Sequence, residues 1–296
     1  YPFTFFFIHQ LSTVLFAIAM LACARGLASK VQKAYWPTLA LLLIGIISTW
    51  WNLRTMSLTI YLAIVLVLIL LSKRELYRAK LQYSISKFAT DLLIFAGSCI
   101  LYVIVGVLNA PQYIRSHKIP NFFLFPGEKV WFSGLIGLLL GLILLVLILR
   151  YFCSGADPFA NQQKFAADRV HNVIDQFGGS RTSHLAFLKD KNLYFYQKDD
   201  QDQLYFMYRR NYDRLIIMGD PVGNAAEIRP ALRQFLTEAD LYNYQLVFYE
   251  VSGDFTMLLH EFGFDFIKTG ETGLVRLADF TLAGKRQRSQ RALMHK

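Results

Sequence analysis

"LILLVLILRYFCSGADPFANQQ", residues 142–163, changes character at Arg150. As far as Leu149 it is the tail of an uncharged apolar run. From Tyr151 it carries Gly155, Pro158 and a cluster of small and polar residues, the composition of a linker. The chain therefore divides into a stretch 1–150, a linker 151–160 and a stretch 161–296, and the two long parts obey different rules.

Upstream of the linker, apolar residues dominate. The 296-residue chain is 54% hydrophobic, too much for an ordinary soluble protein. Five runs hold no Lys, Arg, Asp or Glu: Phe3–Ala24, Tyr35–Trp51, Met56–Ser72, Leu92–Leu108 and Val130–Leu149. Each is close to the roughly 20 residues that cross a hydrocarbon core as a helix. Buried core helices rarely supply five such runs. The four tryptophans, Trp36, Trp50, Trp51 and Trp131, fall at run ends, where amphipathic rings prefer the headgroup level.

The formal charge of +10 lies wholly in residues 1–150, which hold 13 basic and three acidic residues. The remainder is balanced, with 18 of each sign. The excess is concentrated after the first run (Arg25, Lys30, Lys33) and after the third (Lys73, Arg74, Arg78, Lys80, Lys87), whereas the second connection has only Arg54. The fourth, Asn109–Lys129, carries Arg115, Lys118 and Lys129. The positive-inside rule makes the first and third connections cytoplasmic, and with five spans the C-terminal part as well. The charge thus serves as a topology signal rather than a nucleic-acid footprint. Cys23, Cys99 and Cys153 make no disulfide framework. The chain opens at Tyr1 inside an apolar run and stops in "KRQRSQRALMHK", and it is expected to be a piece of something longer.

Downstream, Phe165, Val170, Val173, Ile174 and Phe177 recur at mostly helical spacing and stop at Gly178-Gly179. Strand candidates follow at 184–188, 193–197, 204–209 and 214–218, then a helix to about Tyr242, a strand at 246–250, a helix around Phe255–Phe262, and strands at 265–268 and 274–277. The expected fold class is an α-helical multi-pass membrane region followed by an α+β domain with a mostly antiparallel sheet. The element order resembles the GNAT acetyltransferase fold, which makes the domain GNAT-like by analogy.

"MGDPVGN" (218–224) sits between a strand and a helix and could be a phosphate cradle or a turn. A Walker loop needs Lys and Ser/Thr after its last glycine, and Gly223 is followed by Asn224-Ala225-Ala226. The spacing of Gly219 and Gly223 does not fit a dinucleotide fingerprint. The basic-glycine loop of acyl-CoA enzymes is also absent. Turn chemistry remains: Pro221 fixes φ, Gly223 permits positive φ, and Asn224 with Glu227 forms a variant capping box. Pro230 suggests a helix starting there instead. A strand-to-helix turn is expected, and no cofactor.

Several segments in order, "GGSRTSHLAFLKDK" (178–191), "IMGDPVG" (217–223), "LVFYEVS" (246–252), "LHEFGFDFIKTGETGLVRLADFTLAGK" (259–285) and the trailing "RQRSQRALMHK", resemble the multiple peptide resistance factor (MprF) family, the phosphatidylglycerol lysyltransferases. The resemblance covers 155–296, and the apolar runs fit that family's multi-pass region. It implies a bacterial membrane protein with a cytoplasmic domain that transfers an aminoacyl group, usually lysyl, from aminoacyl-tRNA to phosphatidylglycerol. The cationic lipid so made gives resistance to cationic antimicrobial peptides. A tRNA ester donor needs no CoA cradle. The family pairs two GNAT-like lobes, and this chain ends at the basic helix joining the first to the second, so catalytic residues are unassigned and the chain alone is expected to be incomplete. The implied partners are phosphatidylglycerol, lysyl-tRNA and the bilayer, with a homo-oligomer left open.

Gly219, Asp220, Pro221 and Gly223 match the family motif and are substrate-binding candidates, against the alternative of holding a turn. Glu250 and Glu271 lie in family motifs and are candidates to pair with a lysyl amino group, against the alternative of plain exposed carboxylates. Arg276, within an otherwise apolar strand candidate, is a further candidate, with ion pairing inside the domain as its alternative. Lys285, Arg286, Arg288 and Arg291 are candidates for lipid-headgroup or tRNA contact, or form a solvated helix face. His171, His184 and His260 have no metal-site spacing, and 260–264 lacks the second His of a zinc motif. His9 and Asn109 fall near span ends and read as interfacial. A second function class, a lipid flippase or transporter with a regulatory lobe, fits the same two-part layout.

Overall fold

The computed structural model describes residues 10–53, 56–108, 128–159, 165–180, 182–271, 273, 276, 278 and 280–294. The start of the first run, His9, Asn109 and most of the fourth connection lie outside them. The described residues form two compact units, Tyr1–Val251 and Ser252–Lys296.

The first unit begins with α1 (Gln10–Ala28), α2 (Tyr35–Ser48), α3 (Met56–Leu71), α4 (Ile85–Leu108) and α5 (Glu128–Cys153). All five expected runs are helical where described. Four helices are long and apolar enough to cross a membrane, and the apolar part of α1, Val14–Ala28, is shorter. A π-helical turn, Thr49–Leu53, continues α2 past its last regular residue. Gly141 of α5 lies so close to Ile18 of α1 that an added Cβ would stand 2.1 Å from its Cδ1, and glycine is what permits that approach.

At one end of these helices the first and third connections meet. Arg78 and Val31 form a parallel bridge, in which Arg78 N–H donates to the Lys30 carbonyl at 3.0 Å and Gln32 N–H to the Arg78 carbonyl at 2.9 Å. Leu81 N–H donates to the Phe152 carbonyl at 2.9 Å, at the foot of α5.

The rest of the unit is an α/β domain. Helix α6 (Ala167–Phe177) buries Val170 and Val173 and ends at Gly178, whose φ of 83° suits a glycine. Strands β1 (Asn192–Lys198), β2 (Gln201–Asn211), β3 (Arg214–Gly223) and β4 (Gln245–Tyr249) form a sheet in the order β1-β2-β3-β4. The first two pairings are antiparallel and β3–β4 is parallel, joined by α7 (Ile228–Leu241), so the sheet is mixed. Leu204–Tyr208 of β2 are buried in succession because both faces of the sheet are covered. One face packs Leu193, Tyr205 and Met207 on α6. The other stacks Tyr194 and Phe206 on Phe235 of α7, at centroid distances of 4.4 and 5.0 Å.

Two expected strands are not strands. Residues 184–188 lie in a 3-10 segment, Ser183–Leu188, with Ala186 turned inward. A five-residue apolar run gives no period long enough to separate these conformations. Residues 265–268 are non-regular, with Phe266 and Ile267 exposed, and without a neighbouring strand an extended segment has no ladder to join. Of the last candidate, 274–277, only Arg276 is described, and it is non-regular.

The second unit contains α8 (Gly253–Glu261), capped by Ser252, whose hydroxyl accepts from Phe255 N–H at 3.2 Å. It ends in a 3-10 turn, Lys285–Gln287, and α9 (Arg288–Met294).

Candidate functional site

The 218–224 stretch is not a turn after a strand but a break inside one. Strand β3 runs on to Gly223, yet its register with β2 passes from Met207–Met218 directly to Tyr205–Val222. Gly219, Asp220 and Pro221 therefore stand opposite the single residue Phe206. Three residues against one make this a special β-bulge rather than the usual two-against-one kind, and it accounts for the residue types. Gly219 takes φ 71°, and Pro221, which has no N–H for a ladder, is tolerated at a bulge. Gly223 has φ 136°, and an added Cβ would lie 2.3 Å from the Gln203 carbonyl oxygen. Its absence of side chain lets β3 rejoin β2. Asn224 then caps the following turn, its Oδ1 accepting from Ala226 N–H at 3.1 Å. Glu227 does not complete the box, since it pairs with Lys198. Pro230 occupies the first turn of α7, where a missing N–H costs nothing.

The bulge coincides with the end of the parallel pairing. The last β3–β4 partners are Met218 and Tyr249. Beyond them β3 swings into Gly219–Pro221 while β4 stops, and Glu250 turns aside with φ 58°. The carboxyl ends of two parallel strands thus part at one point, the position at which open α/β sheets receive ligands. Gly219 and Glu250 are the residues that directly follow this last pair on the two strands. Glu250 is exposed and Asp220 half-buried, while Pro221 is buried. Thr182 flanks the bulge, with its Oγ1 3.1 Å from where a Gly219 Cβ would be.

The remaining candidates lie in the second unit. Glu271 is exposed and pairs with Lys268. Arg276 is exposed. Lys285 and Arg288 are exposed, whereas Arg291 folds back and donates to the Leu282 carbonyl and to that of Gly284, the latter at 2.9 Å. The Arg286 side chain lies outside the description.

A second constellation was not singled out in the sequence. Asp157, in the expected linker, is buried and accepts from four directions. Its Oδ2 takes Lys80 Nζ at 3.1 Å, Gln82 Nε2 at 3.0 Å and Tyr244 OH at 2.7 Å, and its Oδ1 takes Phe159 N–H at 3.0 Å. Burial alone would raise this carboxyl, but the bonds from Tyr244, Lys80 and Phe159 hold it below its ordinary 3.8. Burial and the bond to Asp157 push the Tyr244 phenol up. Phe159 beside it fills a box of Tyr194, Tyr208, Phe235, Tyr242 and Tyr244. Nearby, Arg78 donates to Asp240 at 2.5 Å and to Asn243 at 3.0 Å, Tyr77 also donates to Asp240, and Ala79 N–H donates to the Leu241 carbonyl at 2.8 Å. Lys87 pairs with the buried Asp213 at 2.9 Å. The third connection and the first turn of α4 are thus bolted to the foot of the α/β domain. Only the cluster of basic residues hinted at this, and it had another explanation.

The chain is similar in sequence to known proteins. Residues 171–296 match the family model described as "Phosphatidylglycerol lysyltransferase, C-terminal". Similar relatives bear the name phosphatidylglycerol lysyltransferase. That of Staphylococcus xylosus is 29% identical over 84% of this chain and 28% of its own length. That of Bacillus subtilis strain 168 is 23% identical over 94% of this chain and 32% of its own. The match to the Staphylococcus epidermidis protein is 35% identical but confined to 42% of this chain. A solved structure, "The structure of L-PGS from Bacillus licheniformis", shares 31% identity over 45% of this chain and 41% of its own, with a TM-score of 0.39. The chain spans about a third of the length of the curated relatives it matches along most of its extent.

Proposed function

Since residues 171–296 belong to the phosphatidylglycerol lysyltransferase C-terminal family, we propose that this chain is part of a membrane aminoacyltransferase. It moves an aminoacyl group, lysyl in the first instance, from charged tRNA to phosphatidylglycerol. A glycerol hydroxyl attacks the carbonyl carbon of the aminoacyl ester, a new ester forms on the lipid, and the tRNA terminal ribose leaves with the proton. Catalysis of this kind rests largely on holding two bound substrates in line. The observation that carries the reading is the family match together with relatives that align along 84–97% of the chain, apolar helices included.

The structure supports the details as follows. Helices α3 and α4 leave Leu58, Ile64, Leu68, Leu93 and Ile100 exposed, an arrangement suited to lipid rather than water. The two connections richest in basic residues lie at the same end of the helices as the α/β domain, and by the positive-inside rule that end is cytoplasmic. The parting of β3 and β4 is the natural place for the donor in a GNAT-like domain, with Glu250 facing the lysyl amino group and the Gly219–Asp220 backbone lining the opening. Residues 151–160 serve as the neck between a membrane region 1–150 and a lobe 161–296. Lys285, Arg286 and Arg288 supply cations for headgroup or tRNA phosphates.

The test is mass spectrometry of lipids from a host that makes no lysyl-lipid, expressing this chain and, separately, the gene extended to the length of its relatives. Aminoacyl-phosphatidylglycerol from the extended protein is expected, and its mass names the amino acid. If the extended protein is folded in the membrane and makes no such lipid, the transferase reading fails and the lipid-transport alternative takes its place.

A further inference from the structure

We propose that a cavity where the first and third connections meet the foot of α5 holds the headgroup phosphate of an anionic phospholipid, with Lys33 and Lys73 as its cations. The cavity is about 280 Å³, and its lining includes Lys33, Tyr35, Trp36, Lys73, Leu76 and Tyr151.

The charge pattern points to an anion. Of the eight basic residues on the first and third connections and the first turn of α4, four have carboxylate partners: Arg25 with Asp91, Arg78 with Asp240, Lys80 with Asp157 and Lys87 with Asp213. Among the described residues, Lys30, Lys33, Lys73 and Arg74 have no carboxylate within ion-pair distance, and two of these line the same cavity. Lys33 is held in place: its ammonium donates to the Ser154 carbonyl at 2.5 Å and to the Ser154 hydroxyl at 3.1 Å, and lies 5.6 Å from the Tyr151 ring centre. An ammonium has three donors, so one remains for a ligand. Lys73 lies 5.7 Å from the Tyr35 ring centre. Tyr35 and Trp36 meet edge-to-face at 5.4 Å, and Trp36 is exposed at the start of an apolar helix, the depth at which indole rings meet headgroups. Cations, a fixed aromatic wall and that depth together select a lipid phosphate over a soluble one.

The cavity shares no residue with the bulge at Gly219–Pro221. Its lipid is a resident that seats the neck on the bilayer, not the acceptor of the transfer. The inference rests on the reading of α1–α5 as membrane helices.

The experiment is native mass spectrometry of the full chain, purified from membranes in detergent and mixed with phosphatidylglycerol or with zwitterionic phosphatidylcholine. Retention of phosphatidylglycerol over phosphatidylcholine is expected. Lys73→Gln should weaken it about fivefold, the equivalent of about 1 kcal/mol per cation at an anionic surface, and Lys73→Arg should restore it. Lys33→Gln should weaken it at least as much, but because that change also frees Ser154, Lys73→Gln is the deciding variant. Equal retention of both lipids, unchanged retention in a Lys73→Gln protein of normal elution profile, or displacement by excess inorganic phosphate would each overturn the proposal. Alkaline extraction separates the two failures. A chain that washes off membranes defeats the membrane reading itself, whereas one that stays and retains no phosphatidylglycerol defeats only the site.

Discussion

Asp157 shows how one side chain can carry an interface. Truncating it to alanine leaves the Lys80 ammonium buried without a counter-charge and Tyr244 and Gln82 without their acceptor. Breaking a buried pair from one side costs about 3 kcal/mol, and a drop of that order is expected in the unfolding free energy of Asp157→Ala by denaturant titration. The pH dependence has a definite sign. The carboxyls of Asp157, Asp202 and Asp240, each pushed up by burial but held lower by its hydrogen-bonded partners, lie below 3.8 in the folded protein. Their contribution to stability is complete above that value and is lost as pH falls through the lowered folded values. Thermal unfolding should accordingly be flat near neutrality and fall steeply below about pH 4. The two bulge glycines should differ. Gly223→Ala drives a Cβ into backbone atoms at 2.3 and 2.6 Å and should cost about 3 kcal/mol. Gly219→Ala meets only the Thr182 hydroxyl at 3.1 Å and should cost about 1 kcal/mol, mainly for its left-handed φ. None of this distinction is visible in the string "MGDPVG", where both glycines read alike.

Most of the regular elements could be read from pattern alone. "LYFYQ", "LYFMYR" and "RLIIM" became β1, β2 and β3, and the spacing from Val170 to Phe177 became α6, because burial of one face imposes a period. The failures have a common physical origin. "HLAFL" is too short to show a period, and "DFIK" lacks a partner strand in the described structure. In "MGDPVG" the turn-forming residues occur inside a strand, where glycine and proline mark a bulge as readily as an end. Which of these applies depends on β2 and β4, tens of residues away. On the proposed function, the parting of β3 from β4 yields an activity prediction for the extended protein. Glu250→Gln keeps the shape and removes the charge, and should lower lysyl transfer about tenfold, corresponding to about 1.4 kcal/mol, with little change in unfolding temperature. An equal loss with a neutral aminoacyl donor would assign Glu250 a packing role instead.

The helices and the α/β domain are joined by more than the chain that links them. Replacing Asp157, Asp213 and Asp240 together by alanine removes the carboxylate partners of Lys80, Lys87 and Arg78. Trypsin should then cut the third connection at Arg78 and Lys80 at least tenfold faster than in the wild type, since exposure of a docked segment follows its local opening equilibrium. These long-range pairs could not be read from sequence, because each lysine or arginine already had an adequate reason to be where it is. That double use has a consequence in time. The partners of Arg78, Lys87 and Gln82 lie 162, 126 and 75 residues further along the chain. A ribosome therefore delivers the third connection well before Asp157, Asp213 and Asp240 exist. Until then its positive charges lack these partners, and they pass into salt bridges only after the domain that needs them has been made.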